Sequence, residues 1–249
     1  MRIYIGVCAF KKKYYTSKIN CVETQRTFYN IPQEKTVKKW RDEAPEGFIF
    51  NIKVFQGLTH TANMPTWRRY SKKLSTKERE KVGNLKLNDL TRRWIDIYAK
   101  YAKILDANVL VVQTPARFSP TDENVANAHR FFEYFIKVLD EAGAITWIGW
   151  EPRGEWLKDT VALKEIIQEH DKLIHVVDPF IHEPIEIKEV VYFRLHGKPY
   201  LNYKYEYTSG DLKQLLNKIH KYKSAERIYV MFNNVYMDKN ALDMISMVS

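Results

Sequence analysis

The sequence predicts an α/β fold, a single-domain TIM-like (β/α)8 barrel with a long basic insertion after the third strand. Short apolar runs rich in β-branched residues alternate with stretches of helical periodicity, which is typical of a parallel sheet flanked by helices. Eight such units of about 30 residues fill the 249 residues, so one barrel domain over residues 1–249 accounts for the chain. Because periodicity does not show whether a sheet closes, a doubly wound open sheet is the alternative.

The eight predicted strands are short runs of apolar and β-branched residues bounded by polar turns. They lie at residues 3–6, 20–23, 48–53, 108–113, 145–151, 174–178, 190–196 and 228–232. Two connections between them are irregular. Residues 10–19 are short for a crossover helix, and residues 56–88 are long enough to form a lid or insertion.

Helical spacing of apolar residues is clearest over residues 124–140. The apolar side chains recur there every three or four positions, so they share one face of a helix. Ser119 as a cap, Pro120 in the first turn and Asp122 as a first-turn acid mark its start. Further helices are predicted at residues 36–43, 89–105, 158–170, 209–222 and 238–247.

Composition excludes several classes of protein. The chain has 40 Lys and Arg against 30 Asp and Glu, a net charge of +10, and its 45% hydrophobic residues are typical of a globular protein. Cys8 and Cys21 are too few for a disulfide framework and are expected to be small buried thiols. No apolar run approaches the roughly 18 residues of a spanning helix, and the N-terminus fits a first strand better than a signal peptide. We therefore predict a cytoplasmic protein without membrane contact.

Common catalytic motifs are missing from the sequence. It contains no GxxxxGK[ST], GxGxxG, GxSxG or HExxH pattern. These patterns are typical of phosphate-binding loops, dinucleotide sites, serine hydrolases and zinc proteases. We therefore predict no cofactor of these kinds, and none of any other kind.

The basic excess is concentrated in the predicted lid, residues 56–88. Residues 56–87 contain eight Lys and Arg against two Glu, a net charge of +6. Trp67 and Tyr70 lie among these cations, a mixture that suits binding to a nucleic-acid backbone. The predicted nucleic-acid-binding residues are Arg68, Arg69, Lys72 and Lys73. The alternative is a solvated surface whose lysines serve solubility.

Polar or ionisable residues end nearly every predicted strand. These residues are Glu23, Lys53, Gln113, Glu151, Asp178, His196 and Asn233. Side chains two positions apart in a strand share a face, so Arg194 and His196 point the same way. Because ligands bind at the carboxyl ends of parallel strands, we expect a site where these ends converge. The alternative is that each end is polar only because solvent begins there.

Eight fragments run in order along the chain: IYIGVCAF, VETQRTFYNIP, FIFNIKVFQGLTH, VVQTPARFSP, WEPRGEW, VVDPF, YFRLHGKPYLNYKYEY and VMFNN. This ordered set resembles the domain-of-unknown-function 72 family, the YecE-like proteins. The resemblance implies a TIM-barrel-like fold and no established reaction. The first fragment departs from the family, which usually has an IGxSGW-like run here: Ala9 stands in place of the glycine, in the sequence Gly6-Val7-Cys8-Ala9-Phe10.

The residue types at this rim suit an anionic substrate such as a phosphorylated sugar, a nucleotide or a phosphodiester. Arginine binds carboxylate or phosphate through two parallel hydrogen bonds, and lysine adds a movable charge. The predicted catalytic residues are Glu23, Lys53, Glu151 and His196, and the predicted substrate-binding residues are His60, Gln113, Arg153, Asp178, Arg194, Tyr203, Tyr205, Asn233 and Asn234.

Acid–base catalysis at this rim would make the protein a hydrolase or a lyase. Glu23 or Glu151 then acts as the general base and His196 as the acid, while Lys53 or Arg194 stabilises negative charge. The alternative is that the carboxylates only hold the cations in place, and that the protein binds its ligand without catalysis.

Two further alternatives concern metal and aromatic groups. The acids at the rim, with His60 and His196, have the ligand types of a metal-dependent phosphodiesterase of the endonuclease IV kind. Nearby arginines and a lysine oppose a metal ion, so we predict none. Tyr203 and Tyr205 are two positions apart, which fits either a packed extended segment or a stacking wall for a substrate ring.

Overall fold

Eight parallel strands follow one another around a nearly closed barrel in the computed structural model, which describes residues 1–158 and 160–248. The sheet order is β6-β5-β4-β3-β2-β1-β8-β7, so consecutive strands lie side by side, β1 pairs with β8, and β6 and β7 are the two ends of the sheet. The strands are β1 (Arg2–Val7), β2 (Cys21–Thr24), β3 (Ile49–Lys53), β4 (Val109–Gln113), β5 (Trp147–Glu151), β6 (Leu173–His175), β7 (Val190–Leu195) and β8 (Arg227–Phe232). The strand order never reverses, which confirms the predicted TIM-like barrel and excludes the doubly wound alternative.

The barrel closes between β6 and β7 through a short contact. Val177 forms a parallel bridge with Phe193, and the backbone N–H of Arg194 donates to the carbonyl of Val177 at 2.9 Å. The sixth strand ends at His175, three residues before the predicted end at 178, and only the isolated bridge at Val177 continues the pairing.

Helices cover the outside of the barrel. They are α1 (Arg26–Tyr29), α2 (Glu34–Asp42), α3 (Gln56–Thr59), α4 (Thr76–Lys81), α5 (Asp89–Leu105), α6 (Asp122–Glu141), α7 (Val161–Glu169), α8 (Ser209–Ile219) and α9 (Met237–Val248). All six predicted helices are present, although Asp159 of the predicted helix 158–170 lies outside the described residues. The cap of α6 is Thr121 and not Ser119, since the Thr121 hydroxyl accepts from the N–H of Asn124.

Alternation along the strands separates two apolar layers. In β4, Leu110 and Val112 pack in the layer between strands and helices, whereas Val109 and Val111 point into the barrel. The interior layer is one apolar cluster of ten buried residues. Its members are Cys8, Cys21, Val109, Val111, Ile174, Val176, Val190, Tyr192, Tyr229 and Met231. Apolar side chains therefore fill the barrel below its carboxyl rim.

The basic segment after β3 is packed onto the barrel wall. It contains α3, a 3-10 turn at Pro65–Arg69 and α4 before α5 begins. The indole N–H of Trp67 donates to the carbonyl of Thr61 at 2.9 Å, and the Trp67 ring lies edge-on to Phe55. These contacts fix the apolar side of the lid. Among the described residues, no helix combines the length and apolarity that crossing a membrane needs.

We expect Gly6→Ala to destabilise the barrel by about 2–3 kcal/mol, because an added methyl group overpacks the interior. A Cβ at Gly6 would lie 2.8 Å from the carbonyl carbon of Cys21 and 2.8 Å from the terminal methyl of Met231. Urea denaturation measures this loss. Gly210→Ala at the start of α8 is the control, since its nearest neighbour would be 3.6 Å away. The control should be neutral or stabilising by less than about 1 kcal/mol, and equal losses in both variants would contradict the prediction.

Candidate functional site

A fully buried arginine joins two strand ends at the carboxyl rim. Arg194 in β7 donates from Nε and Nη2 to the two carboxylate oxygens of Glu23, at 3.0 and 2.9 Å. Its Nη1 donates to Glu151 at the end of β5. The Tyr192 hydroxyl also donates to Glu23, at 2.9 Å. Residues from β2, β5 and β7 therefore share one continuous hydrogen-bonded network.

Glu151 stays ionised in this network. Burial by itself raises the pKa of Glu151, but the charges of Arg194 and Arg153 outweigh it and hold the pKa well below its usual range. Arg194 also occupies the space between the carboxylates of Glu23 and Glu151, where a metal ion shared by the two would have to bind. The negative charge of Glu151 is therefore compensated by this buried cation.

Arg153 is the more accessible arginine of the site. It donates from Nε and Nη2 to Glu151 at 3.2 and 3.0 Å, and its side chain is 19% exposed. Burial lowers the pKa of Arg153, but Glu151 outweighs burial and the pKa is raised, so the group is always charged. No acceptor among residues 1–158 and 160–248 binds its Nη1, which leaves both N–H donors of that nitrogen for a ligand.

Lys53 ends β3 in an unusual environment for a lysine. Its Nζ donates to the Gln113 amide oxygen at 3.0 Å and lies 4.2 Å from the ring centre of Phe28. Within the described part of the chain, no carboxylate oxygen lies within 4.0 Å of this nitrogen. Burial and then the charge of Arg194 lower the pKa of Lys53 to about 7, against the partial opposition of the glutamates. The amine therefore loses its proton near neutral pH.

His196 lies between two acids without a close hydrogen bond to either. Its Nε2 is 3.6 Å from Glu151 and its Nδ1 is 3.8 Å from Asp178, and Nδ1 is buried without a hydrogen-bond partner. Asp178 instead accepts from the backbone N–H of His196 at 3.0 Å and of Phe180 at 3.0 Å. Asp178 thus holds the loop after β6 against the end of β7.

His60 is a neutral imidazole beside the lysine. Burial first, and then the charges of Lys53 and Arg153, lower the pKa of His60 to about 3. Its Nδ1 is 2.7 Å from the hydroxyl of Thr59, and its ring packs edge-on against Phe28. His60 therefore contributes no positive charge to the site.

The sequence prediction places thirteen residues at this rim, and the structure brings most of them together. Lys53, Gln113, Glu151, Arg153 and His196 form a set that we call the mouth. His60, Glu23, Asp178 and Arg194 contact or surround the mouth through the interactions above.

Two predicted residues are engaged away from the mouth. The Tyr205 hydroxyl donates to Asp211 of α8 at 2.7 Å. The Asn234 amide donates to the Tyr205 carbonyl and to Asn240, at 2.7 and 2.8 Å. Asn233, a third predicted residue, is half-buried, and its backbone N–H donates to the carbonyl of Leu195. The substrate-binding roles of Tyr205, Asn233 and Asn234 stay predictions. The Tyr205 hydroxyl already donates its proton to Asp211.

Sequence reasoning missed two aromatic residues of the site. Phe28 supplies the ring under Lys53, and the Tyr200 ring lies edge-on to His196 at 5.8 Å. Burial and then Glu151 raise the pKa of Tyr200 to about 12. Tyr203 also borders His196, at 5.9 Å, and is 42% exposed. Tyr200 begins the same aromatic run in the sequence as Tyr203, and this closeness in sequence is the signal that identifies Tyr200 as a candidate.

The lid cations stay outside this buried cluster. Arg68, Arg69, Lys72 and Lys73 are all exposed. The Arg69 guanidinium lies 3.6 Å from the ring centre of Tyr29, in the loop after β2. Nucleic-acid binding by these residues stays a prediction.

We expect Arg194→Met to lower the free energy of unfolding by about 3–5 kcal/mol at neutral pH, because it leaves Glu23 and Glu151 buried without their cation. The loss should shrink as pH falls towards about 4, since uncompensated carboxyl groups take up protons. Urea denaturation at several pH values measures both effects. Arg92→Met is the control: this exposed arginine packs on Tyr134, and its loss should cost about 1 kcal/mol or less. A small, pH-independent effect of Arg194→Met would contradict the assignment.

Comparison with solved structures places the fold among TIM barrels. The chain is similar to a DUF72 family protein from Enterococcus faecalis V583, with 23% identity, a TM-score of 0.72 and coverage of 99% of this chain and 97% of that one. A DUF72 family protein from Thermotoga maritima MSB8 has 20% identity and a TM-score of 0.64, over 100% and 99% of the two chains. The 3-keto-D-glucoside 4-epimerase from E. coli has 11% identity and a TM-score of 0.61, over 99% of both.

A search of curated proteins finds no match to the chain. The family described as "Protein of unknown function DUF72" matches residues 10–249, which include the mouth and the lid. The family and the barrel predicted from the ordered fragments are therefore confirmed. The chain belongs to the DUF72 family.

Proposed function

We propose that the mouth is the active site of an enzyme that removes and returns a proton on an anionic substrate, of which a phosphorylated sugar fits best. Lys53 is the proton carrier and Arg153 binds the anionic group. The observation that carries the proposal is the environment of Lys53, a buried amine whose hydrogen-bond acceptor is a neutral amide.

A lysine can act as a general base only when its amine is neutral at the working pH. Burial against Phe28 disfavours the ammonium form of Lys53, and the pKa near 7 leaves a large neutral fraction at physiological pH. Brønsted behaviour favours a base with a pKa near the operating pH. Lys53 meets this condition, whereas the lowered pKa of Glu151 makes that carboxylate a weak base.

Arg153 offers the substrate a fixed positive charge. Glu151 binds one edge of its guanidinium, which orients the side chain, and the 19% exposed fraction lets a ligand reach it. A phosphate or carboxylate group would bind Arg153 by charge-assisted hydrogen bonds. Arg194 does not bind the anionic group in this scheme, because its N–H groups are already paired with Glu23 and Glu151.

His196 supports proton return in this scheme. Its buried Nδ1 without a hydrogen-bond partner, together with Nε2 at 3.6 Å from Glu151, gives an imidazole that can exchange a proton with a bound substrate. The choice of a sugar is supported by the E. coli structure, whose name describes an epimerase acting on a sugar derivative.

Solvent deuterium exchange tests the proposal without knowledge of the product. The enzyme is incubated in D2O with a panel of phosphorylated aldoses and ketoses, and NMR follows loss of carbon-bound protons. We expect exchange with at least one sugar phosphate, at a rate that rises with pH through about 7 as Lys53 becomes neutral. Lys53→Met should slow exchange by at least about 100-fold.

Matched variants separate binding from proton transfer. Arg153→Gln should raise KM about 10-fold or more for the phosphorylated sugar, since a hydrogen bond to a charged group is lost, while a non-phosphorylated analogue responds less. Lys100→Met on α5, where the lysine is exposed and paired with Glu34, is the control with unchanged exchange. Exchange that survives Lys53→Met would overturn the assignment.

A second candidate function rests on the exposed lid cations. Arg68, Arg69, Lys72 and Lys73 face solvent together, beside the ring of Tyr29. This arrangement favours binding to a nucleic-acid backbone without catalysis.

We expect generic single-stranded DNA or RNA to bind with an affinity that falls steeply with salt concentration. Changing the four lid residues to alanine should reduce the slope of log K against log salt by about 3. Fluorescence anisotropy at several salt concentrations measures this change. Lys53→Met serves as the control that keeps the slope, and identical slopes in the lid variant and the wild type would rule out the lid as the interface.

A further inference from the structure

We propose that His129, Glu169 and His170 form a zinc-type divalent-metal site on the outside of the barrel, where α6 meets the end of α7. This site lies on the outer helices, and its residues are separate from the mouth. The proposal is therefore independent of the function proposed for the mouth.

The ligand atoms are already close to a metal-binding arrangement. The atoms that His129, Glu169 and His170 offer all lie within 4.8 Å of one another. His129 Nδ1 contacts Glu169 Oε2, and His170 Nε2 lies 3.9 Å from the same oxygen. Ligands of tetrahedral zinc lie about 2.0–2.2 Å from the metal and hence roughly 3.3–3.5 Å apart. The 3.9 Å between His170 Nε2 and Glu169 Oε2 is close to this range.

His170 supplies the strongest indication of a missing ligand. Its Nε2 is buried and has no hydrogen-bond partner, which leaves a polar atom unsatisfied. The backbone of His170 is held in place, because Lys188 Nζ donates to its carbonyl at 2.7 Å.

The donor set suits zinc. Two histidines and one glutamate are a known zinc ligand set, with a fourth position filled by water or another group. Glu133 lies one turn from His129 on the same face of α6, so it is the candidate for the fourth ligand. Lys188 is the opposing charge, but its ammonium is hydrogen-bonded to the carbonyls of Ile167 and His170.

Bound metal would connect α6 to α7 across the outer layer of the barrel. Because the unfolded chain does not hold these three ligands together, metal binding stabilises the folded state by mass action. At a free zinc concentration about 100-fold above Kd, we expect the melting temperature to rise by roughly 5–10 °C.

Isothermal titration calorimetry of the untagged, chelator-treated protein tests the proposal. We expect ZnCl2 to bind with one-to-one stoichiometry and MgCl2 to give no comparable heat. His129→Ala and His170→Ala should each weaken zinc binding by at least about 10-fold. His220→Ala, at an exposed histidine of a different helix end, is the matched control and should bind as the wild type does.

A spectroscopic measurement keeps the test independent of stability. Co2+ in a site of low coordination number has visible d–d absorption, which should be present in the wild type and in His220→Ala and lost in His129→Ala. Circular dichroism of the metal-free variants checks that they fold. Zinc binding that is undetectable in the wild type, or that survives loss of either histidine, would overturn the site.

Discussion

The site depends on one ion-pair network, the Arg194 guanidinium held between Glu23 and Glu151. Burying three charges is costly, and only good geometry with full hydrogen bonding offsets that cost. Here Nε and Nη2 of Arg194 donate to Glu23 and Nη1 donates to Glu151. The Tyr192 hydroxyl donates a further hydrogen bond to Glu23. Because these residues belong to β2, β5 and β7, the network can form only when the barrel closes. Closure of the sheet therefore brings the residues of the network together.

The same network sets the chemistry of its neighbours. Glu151 orients Arg153, and the charge of Arg194 adds to burial in lowering the pKa of Lys53. Fixed charges thus lie beside the Lys53 amine, whose protonation can change near neutral pH. The lysine lies apart from any carboxylate of the described chain, and that separation distinguishes it from an ordinary structural ion pair.

The fold and the convergence of strand ends could be predicted from sequence because both follow from periodicity and chain order. Parallel strands bring Lys53 and Glu151 to one rim whatever their exact boundaries. Side-chain partners could not be predicted in this way. The engagement of Tyr205 with Asp211 depends on how the loop after β7 folds back onto α8, and the ring of Phe28 under Lys53 depends on the turn after β2. The early end of β6 depends on where the barrel closes.

The apolar cluster inside the barrel determines from which side a small molecule can reach the carboxyl rim. Met231 and Cys21 crowd the backbone of Gly6, and stacked Tyr192 and Tyr229 rings complete the filling. The interior of the barrel is thus filled with side chains and does not form a channel. Any small molecule that binds at the polar rim would therefore have to enter and leave on the rim side, where the 42% exposed Tyr203 borders His196.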